Sequence, residues 1–213
     1  MNSTHRFISY LVFSFLFSTS LIGQSFQSFE GKMVYSVEVI HPETKKPKFI
    51  SLMTIYANDT LVRTETESTN FGTQIVIKHL THRKQYLLIE ANSKKYAIQQ
   101  PAPKDTNSTK YILRNKCGGK KIGGIKSKKI EISSKMYPEA QICYYSKKYS
   151  PHFLELFPGI KGLPTEYFLM TEDGLIKYTL REITPTKLSP TLFTFTKDYT
   201  KISLNDFIDL LSK

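Results

Sequence analysis

The chain has 213 residues, a formal charge of +12 from 30 Lys and Arg against 18 Asp and Glu, two cysteines and no tryptophan. That length suits one domain with a sizeable core, and neither cysteine has the C-x-x-C spacing of a redox or zinc site. The basic surplus fits an anionic partner or lysines that keep strands soluble and guard sheet edges; arginine stands only at positions 6, 63, 83, 114 and 181, and phosphate recognition favours arginine, so solubility is the first reading.

Residues 1–23 read as a secretory signal peptide. One positive charge, Arg6, precedes an apolar run from Phe7 to about Leu21, and Gly23 stands before a polar Gln24. The run is about 15 residues, short of the ~20 that span a bilayer. Cleavage after Gly23 leaves 24–213 as a single β-rich domain, periplasmic or secreted. Position 24 is not cysteine, so the pattern predicts no lipid anchor.

The rest alternates with the period of strands. Phe29 to Ile40 places Met33, Tyr35, Val37 and Val39 on one face. A loop with two prolines follows at His41 to Pro47. Phe49 to Ala57 and Leu61 to Glu67 are strands around an Asn58-Asp59 turn, then Thr73 to Leu80 after a turn at Asn70 to Gly72. Gln85 to Glu90 and Lys95 to Gln99 pair around Asn92-Ser93. Pro101 to Ser108 is a loop. Tyr111 to Asn115 reads as a helical turn, and Cys117 to Gly124 as a flexible, glycine-rich basic turn. Ser127 to Ser133 and Gln141 to Ser146 form a strand pair.

Ser150 to Leu156 reads as one short helix with a Ser cap and Pro at its first turn. Thr165 to Met170 and Leu175 to Ile183 flank an Asp-Gly hairpin signal, and Leu192 to Thr196 is a last strand. Ser203 caps a C-terminal helix with Leu204, Phe207, Ile208 and Leu211 on one face. The expected fold is mainly β: one curved antiparallel sheet, a half-barrel of about 10–11 strands, with that helix and the short one. In an exported protein Cys117 and Cys143 are expected to form a disulfide, worth roughly 3–4 kcal/mol in the chain-entropy model; two separate buried thiols are the alternative.

Four segments stand in order: Phe29-x-Gly31-Lys32-Met33-x-Tyr35; Met53 to Tyr56 with Val62 to Glu65; Tyr86 to Leu88 with Lys95 to Ala97; and Phe157-x-x-Ile160-Lys161-Gly162-Leu163-Pro164-x-Glu166-Tyr167. Together they resemble a family of small exported domains from the Bacteroidota, the domain of unknown function 4412 family. The last is similar to the family's Gly-Leu-Pro turn, which makes Gly162, Leu163, Pro164 and Glu166 a structural turn, with Glu166 bonding backbone at a strand bend. The chain departs from the family at Gly124-Ile125-Lys126-Ser127, where a cysteine is usual, which leaves Cys117 as a replacement partner for Cys143. It also lacks the usual proline before Tyr199. The resemblance implies location and fold rather than activity. Its strand order looks like that of periplasmic lipoprotein carriers, whose half-barrel holds acyl chains under a helical lid; that is analogy of fold alone.

Catalytic signals are sparse. There is no G-x-S-x-G, and the four histidines after the signal, His41, His79, His82 and His152, adjoin no recognisable nucleophile setting. Cys143 reads as a strand residue. His79 and His82 would point to opposite faces of a strand, so no metal site is expected. Glu65 and Glu67 share a strand face beside Arg63 and read as solvated charge. The glycine-rich run lacks the Walker spacing, and no RNA-binding aromatic signature occurs. The sequence therefore predicts a non-catalytic binding protein without cofactor and without a nucleic-acid partner. Its first expected ligand is apolar, a lipid or an acylated protein held by the curved sheet. The alternative is a basic interaction module for an anionic envelope polymer, surface or partner protein; peripheral membrane contact suits either.

Overall fold

A computed structural model describes residues 26–40, 47–68, 72–91, 93–100, 110–154, 156–171 and 174–211. The signal-peptide segment, most of the His41 to Pro47 loop, the Asn70-Phe71 turn, and the Pro101 to Ser108 loop lie outside the described residues. So does the Glu172-Asp173 part of the expected hairpin turn.

Period-two alternation resolves into twelve strands. β1 to β6 are Gly31–Ile40, Pro47–Ala57, Leu61–Ser68, Gly72–His79, Lys84–Ala91 and Lys94–Gln100. β7 to β11 are Ile112–Ile122, Ile125–Ser133, Gln141–Ser146, Leu163–Thr171 and Gly174–Pro185; β12 is Thr200–Ser203, followed by one α-helix, α1, Leu204–Leu211. All twelve lie in one curved, unclosed sheet in the order β12-β6-β5-β4-β3-β2-β1-β11-β10-β9-β8-β7. Two meanders, β1–β6 and β7–β11, thus meet back to back along the ten residue pairs of β1 and β11. Every pairing is antiparallel except β12 on β6. Register shifts at Val34/Tyr35, Asn115/Gly119 and Pro164/Glu166 mark bulges, which bend and twist strands locally.

The core follows the pleat. A large cluster joins Met33, Tyr35, Ile55 and Val62 of the first meander to Ile130, Ile132, Cys143, Leu163, Tyr167 and Leu180 of the second. Tyr35 is fully buried and donates to the Pro164 carbonyl at 2.7 Å, while Tyr167 stacks on Tyr178 with ring centres 4.7 Å apart. At the other end, consecutive residues Leu88 and Ile89 face opposite sides, as strand geometry requires. Leu88 joins Ile77, Ala97 and Phe193, whereas Ile89 joins Tyr96, Ile98 and Phe207 of α1.

Several local expectations are corrected. Ile112 to Asn115 is not a helical turn and Cys117 to Ile122 is not a flexible one; both belong to strand β7, because Ile122 and Ile125 pair around Gly123-Gly124, which is a turn as expected, and zip the two sides into a hairpin. Leu192 to Thr196 is not a strand: Ser189 accepts from the Thr191 amide and Pro190 opens a 3-10 turn, Pro190–Phe193, which buries Phe193. The short helix shrinks to a 3-10 turn, Pro151–Phe153, under the cap Ser150. β12 was not foreseen. On α1, Phe207 is buried, but Leu204 and Ile208, expected on the same inner face, are exposed; the Leu211 side chain lies outside the described residues.

The expected disulfide is absent. Both cysteines are free, Cys117 exposed and Cys143 buried. Cys143 pairs with Ile130 of β8, and Ile130 in turn with Asn115 of β7, so a whole strand separates the two cysteines. Two strand spacings come to roughly 10 Å, beyond the ~7 Å Cα limit of a disulfide.

Candidate functional site

The charge surplus is not spread evenly. Residues 110–148, which build β7 to β9, hold eleven Lys and Arg against two Glu, a net +9 of the chain's +12. Within them, the Gly123-Gly124 turn sets the hairpin register so that Lys121 lies directly opposite Lys126. Cβ atoms of such pairs stand about 5 Å apart, and like charges there destabilise. Lys128, two residues along β8, projects from the same face. All three are exposed, and among the described residues none lies within ion-pair distance of a carboxylate.

The hairpin is held rigidly enough to present them. Ile122 and Ile125 bury their side chains in the main core, and the Thr165 hydroxyl of β10 donates to Ser127 Oγ of β8 at 2.8 Å. Lys120 reaches back to Glu166, with Nζ 3.1 and 3.2 Å from the two carboxylate oxygens. It also sits 4.3 Å from the centre of the Tyr144 ring. In a flat sheet β7 and β10 would be ~14 Å apart, so this contact depends on the curl of the second meander. Lys177 adds a second cation 3.6 Å from Glu166, whose side chain is 11% exposed.

Among the described residues, the Glu166 carboxylate bonds lysines at the strand bend. The rest of the Gly-Leu-Pro segment is packed as a corner. A Cβ on Gly162 would lie 2.3 Å from the Ser146 carbonyl oxygen. The Leu163 amide donates to the Tyr149 carbonyl at 3.1 Å, and Leu163 is fully buried.

The other chemical candidates fall apart spatially. Burial pushes the Cys143 thiol up to about 12, far from a thiolate nucleophile at neutral pH. His79 and His82 have ring centres 6.5 Å apart, and among the described residues no three His, Cys, Asp or Glu converge on a metal-sized site. Glu65 is tied to Arg63 at 2.7 Å. Ser150 Oγ lies 2.6 Å from His152 Nδ1, a contact the sequence reading passed over; Ser150 is also the cap of its 3-10 turn, and the spacing of two residues places both in one local turn.

A groove of about 610 Å³ runs beside the start of α1, lined by Tyr86, Gln99, Gln100, Ile202, Leu204 and Asp206 among others. Its walls are mixed, with apolar Tyr86, Ile202 and Leu204 alternating with amides, Ser203 and Asp206. Among the described residues no helix is long and apolar enough to cross a membrane.

No known family model and no curated protein matches the chain.

Proposed function

We propose that this protein is a non-catalytic interaction module, acting outside the cytoplasm, that binds a negatively charged partner through the β7–β8 hairpin. The observation that carries this reading is the Lys121–Lys126 cross-strand pair with Lys128 beside it, exposed and with no carboxylate within ion-pair distance among the described residues. A fold that sets like charges opposite each other carries an electrostatic cost that an anion relieves. The signal-like residues 1–23 support the location, and the order of the segments from Phe29 to Tyr167 supports kinship with the exported family named above.

The test is retention of the protein on a sulfated polysaccharide matrix across a salt gradient. Lys121→Glu/Lys126→Glu/Lys128→Glu should lower affinity roughly tenfold or more at low salt, because exposed charge pairs act within a Debye length. A control reversal of the exposed Lys94, Lys187 and Lys197 changes net charge equally and should leave most of the affinity in place. Equal losses in the two triples would reduce the effect to net charge and refute a hairpin site.

A second reading draws on the groove beside α1, whose volume falls in the range of small-molecule sites. It takes an amphiphile with a short apolar part against Tyr86, Ile202 and Leu204. Native mass spectrometry of protein purified from its own envelope would reveal such a ligand as mass lost on denaturation; a bare mass in both states removes this reading.

A further inference from the structure

We infer that β7 is a docking edge: an extended acidic segment of a partner protein adds to it as a thirteenth strand. The inference rests on the reading of the hairpin as the binding element and specifies the partner's chemistry and backbone conformation.

β7 is the last strand of the sheet, eleven residues long, and among the described residues it pairs with β8 alone. It is exposed along almost its whole length, up to the buried Ile122. A terminal strand turns a row of backbone N–H and C=O groups outward, and such a row pairs with another chain unless something blunts it. The opposite edge is blunted by its own shortness: β12 has four residues, and α1 follows it directly. Nothing comparable covers β7 among the described residues.

Charge selects the occupant. Arg114, Lys116, Lys120 and Lys121 stand along β7, with Lys126 and Lys128 just behind on β8. A second copy of this edge would set lysine against lysine, so the charge that prevents self-pairing favours an acidic strand. Glu131 and Glu166 already engage Arg114, Lys116 and Lys120; Lys121, Lys126 and Lys128 remain for the incoming segment. The bulge between Asn115 and Gly119 divides the edge into two short runs, Ile112–Asn115 and Gly119–Ile122. The matching ligand therefore has extended stretches of about four residues with acids at alternate positions, the strand-addition mode of peptide recognition.

The experiment titrates the full chain into a fluorescent eight-residue peptide of alternating Glu and Val, and into the same peptide N-methylated on both backbone edges. The two peptides carry identical charge. Binding of the first with at least a tenfold loss for the second, together with slowed amide exchange in β7, is the expected result. Equal binding of both would overturn strand addition while leaving the basic hairpin as a charge-driven site. Binding of a sulfated polysaccharide but of neither peptide would overturn the acidic-strand partner alone. Failure of every anionic probe would remove the proposed function together with this inference.

Discussion

The β12 end of the sheet is finished by the chain itself, whereas the β7 end is uncovered among the described residues. Beyond β6 the chain lays down a four-residue parallel strand, turns into α1 and seats Phe207 against Tyr96 with ring centres 5.3 Å apart. The other face of that wing is covered by the segment carrying Phe193 and Phe195. Beyond β9 the sheet instead curls, buries Ile122 and Ile125 at the hairpin tip, and lines its outer strand with lysines. One wing uses apolar covering and the other uses charge, and charge leaves an edge that stays soluble yet remains available to a partner of opposite sign.

If the second meander is the structural anchor of this arrangement, its core should be the more sensitive. Tyr167→Ala removes a fully enclosed ring packed on Tyr35, Phe157 and Tyr178 and should cost about 3–5 kcal/mol in denaturant unfolding. Phe207→Ala should cost less than about 2 kcal/mol, because α1 can undock locally and cap the loss; a Phe207 variant as damaged as the Tyr167 variant would reverse the ranking of the wings. Gly162→Ala pushes a methyl into the Ser146 carbonyl and should cost about 2–3 kcal/mol. Glu166→Gln releases Lys120 and Lys177 at about 1–2 kcal/mol, since one partner is nearly buried and the other half exposed. Its distinguishing readout is faster amide exchange at the β7–β8 tip with little change at β1 or β2; uniform acceleration would make Glu166 a general stabiliser and not the tether of the hairpin.

The same wings differ in how legible they were. In the first meander the strands from β1 to β6 follow from alternation and from turns such as Asn58-Asp59, where Asn58 Oδ1 accepts from the Leu61 amide at 2.8 Å. In the second, β7 was hidden by its composition. Arg-Asn-Lys-Cys-Gly-Gly-Lys-Lys has no apolar alternation because an edge strand need not bury either face. A signal was nonetheless present: Lys121-Ile122-Gly123-Gly124-Ile125-Lys126 is symmetric about a two-residue Gly-Gly turn, and folding it as a hairpin places lysine opposite lysine. The Glu166 contact had no such signal, since it joins residues 46 apart through the curl of three intervening pairings. The cysteine pairing failed for the same reason: parity of count says nothing about the strand that lies between.

The two thiols turn that failure into a probe of the edge. Cys117 stands exposed in β7, and Cys143 is buried two strands inward with its thiol pushed up to about 12. A neutral-pH thiol reagent should therefore label one equivalent rapidly in the native protein and the second only after unfolding. Mass analysis placing the fast label on Cys143, or finding no free thiol, would contradict the strand order at this end. An acidic strand docked on β7 should slow the fast label without touching the slow one.

The smallest expected effect lies on the first meander, at the last residue of β4. Burial first, then the charges of His82 and Lys84, hold His79 below its ordinary 6.5. The unfolded chain thus takes up this proton before the folded one does. The contribution of neutral His79 is complete above about pH 6.5 and is lost as pH falls through the lower, folded value. Stability should decline modestly below pH 6.5, and His79→Gln should flatten that part of the curve. The affinity of the β7–β8 hairpin for an anionic matrix should stay unchanged between pH 7.5 and pH 6. If matrix binding and stability fell together in that window, the two wings would be coupled, and the division of labour between a covered end and a charged end would not hold.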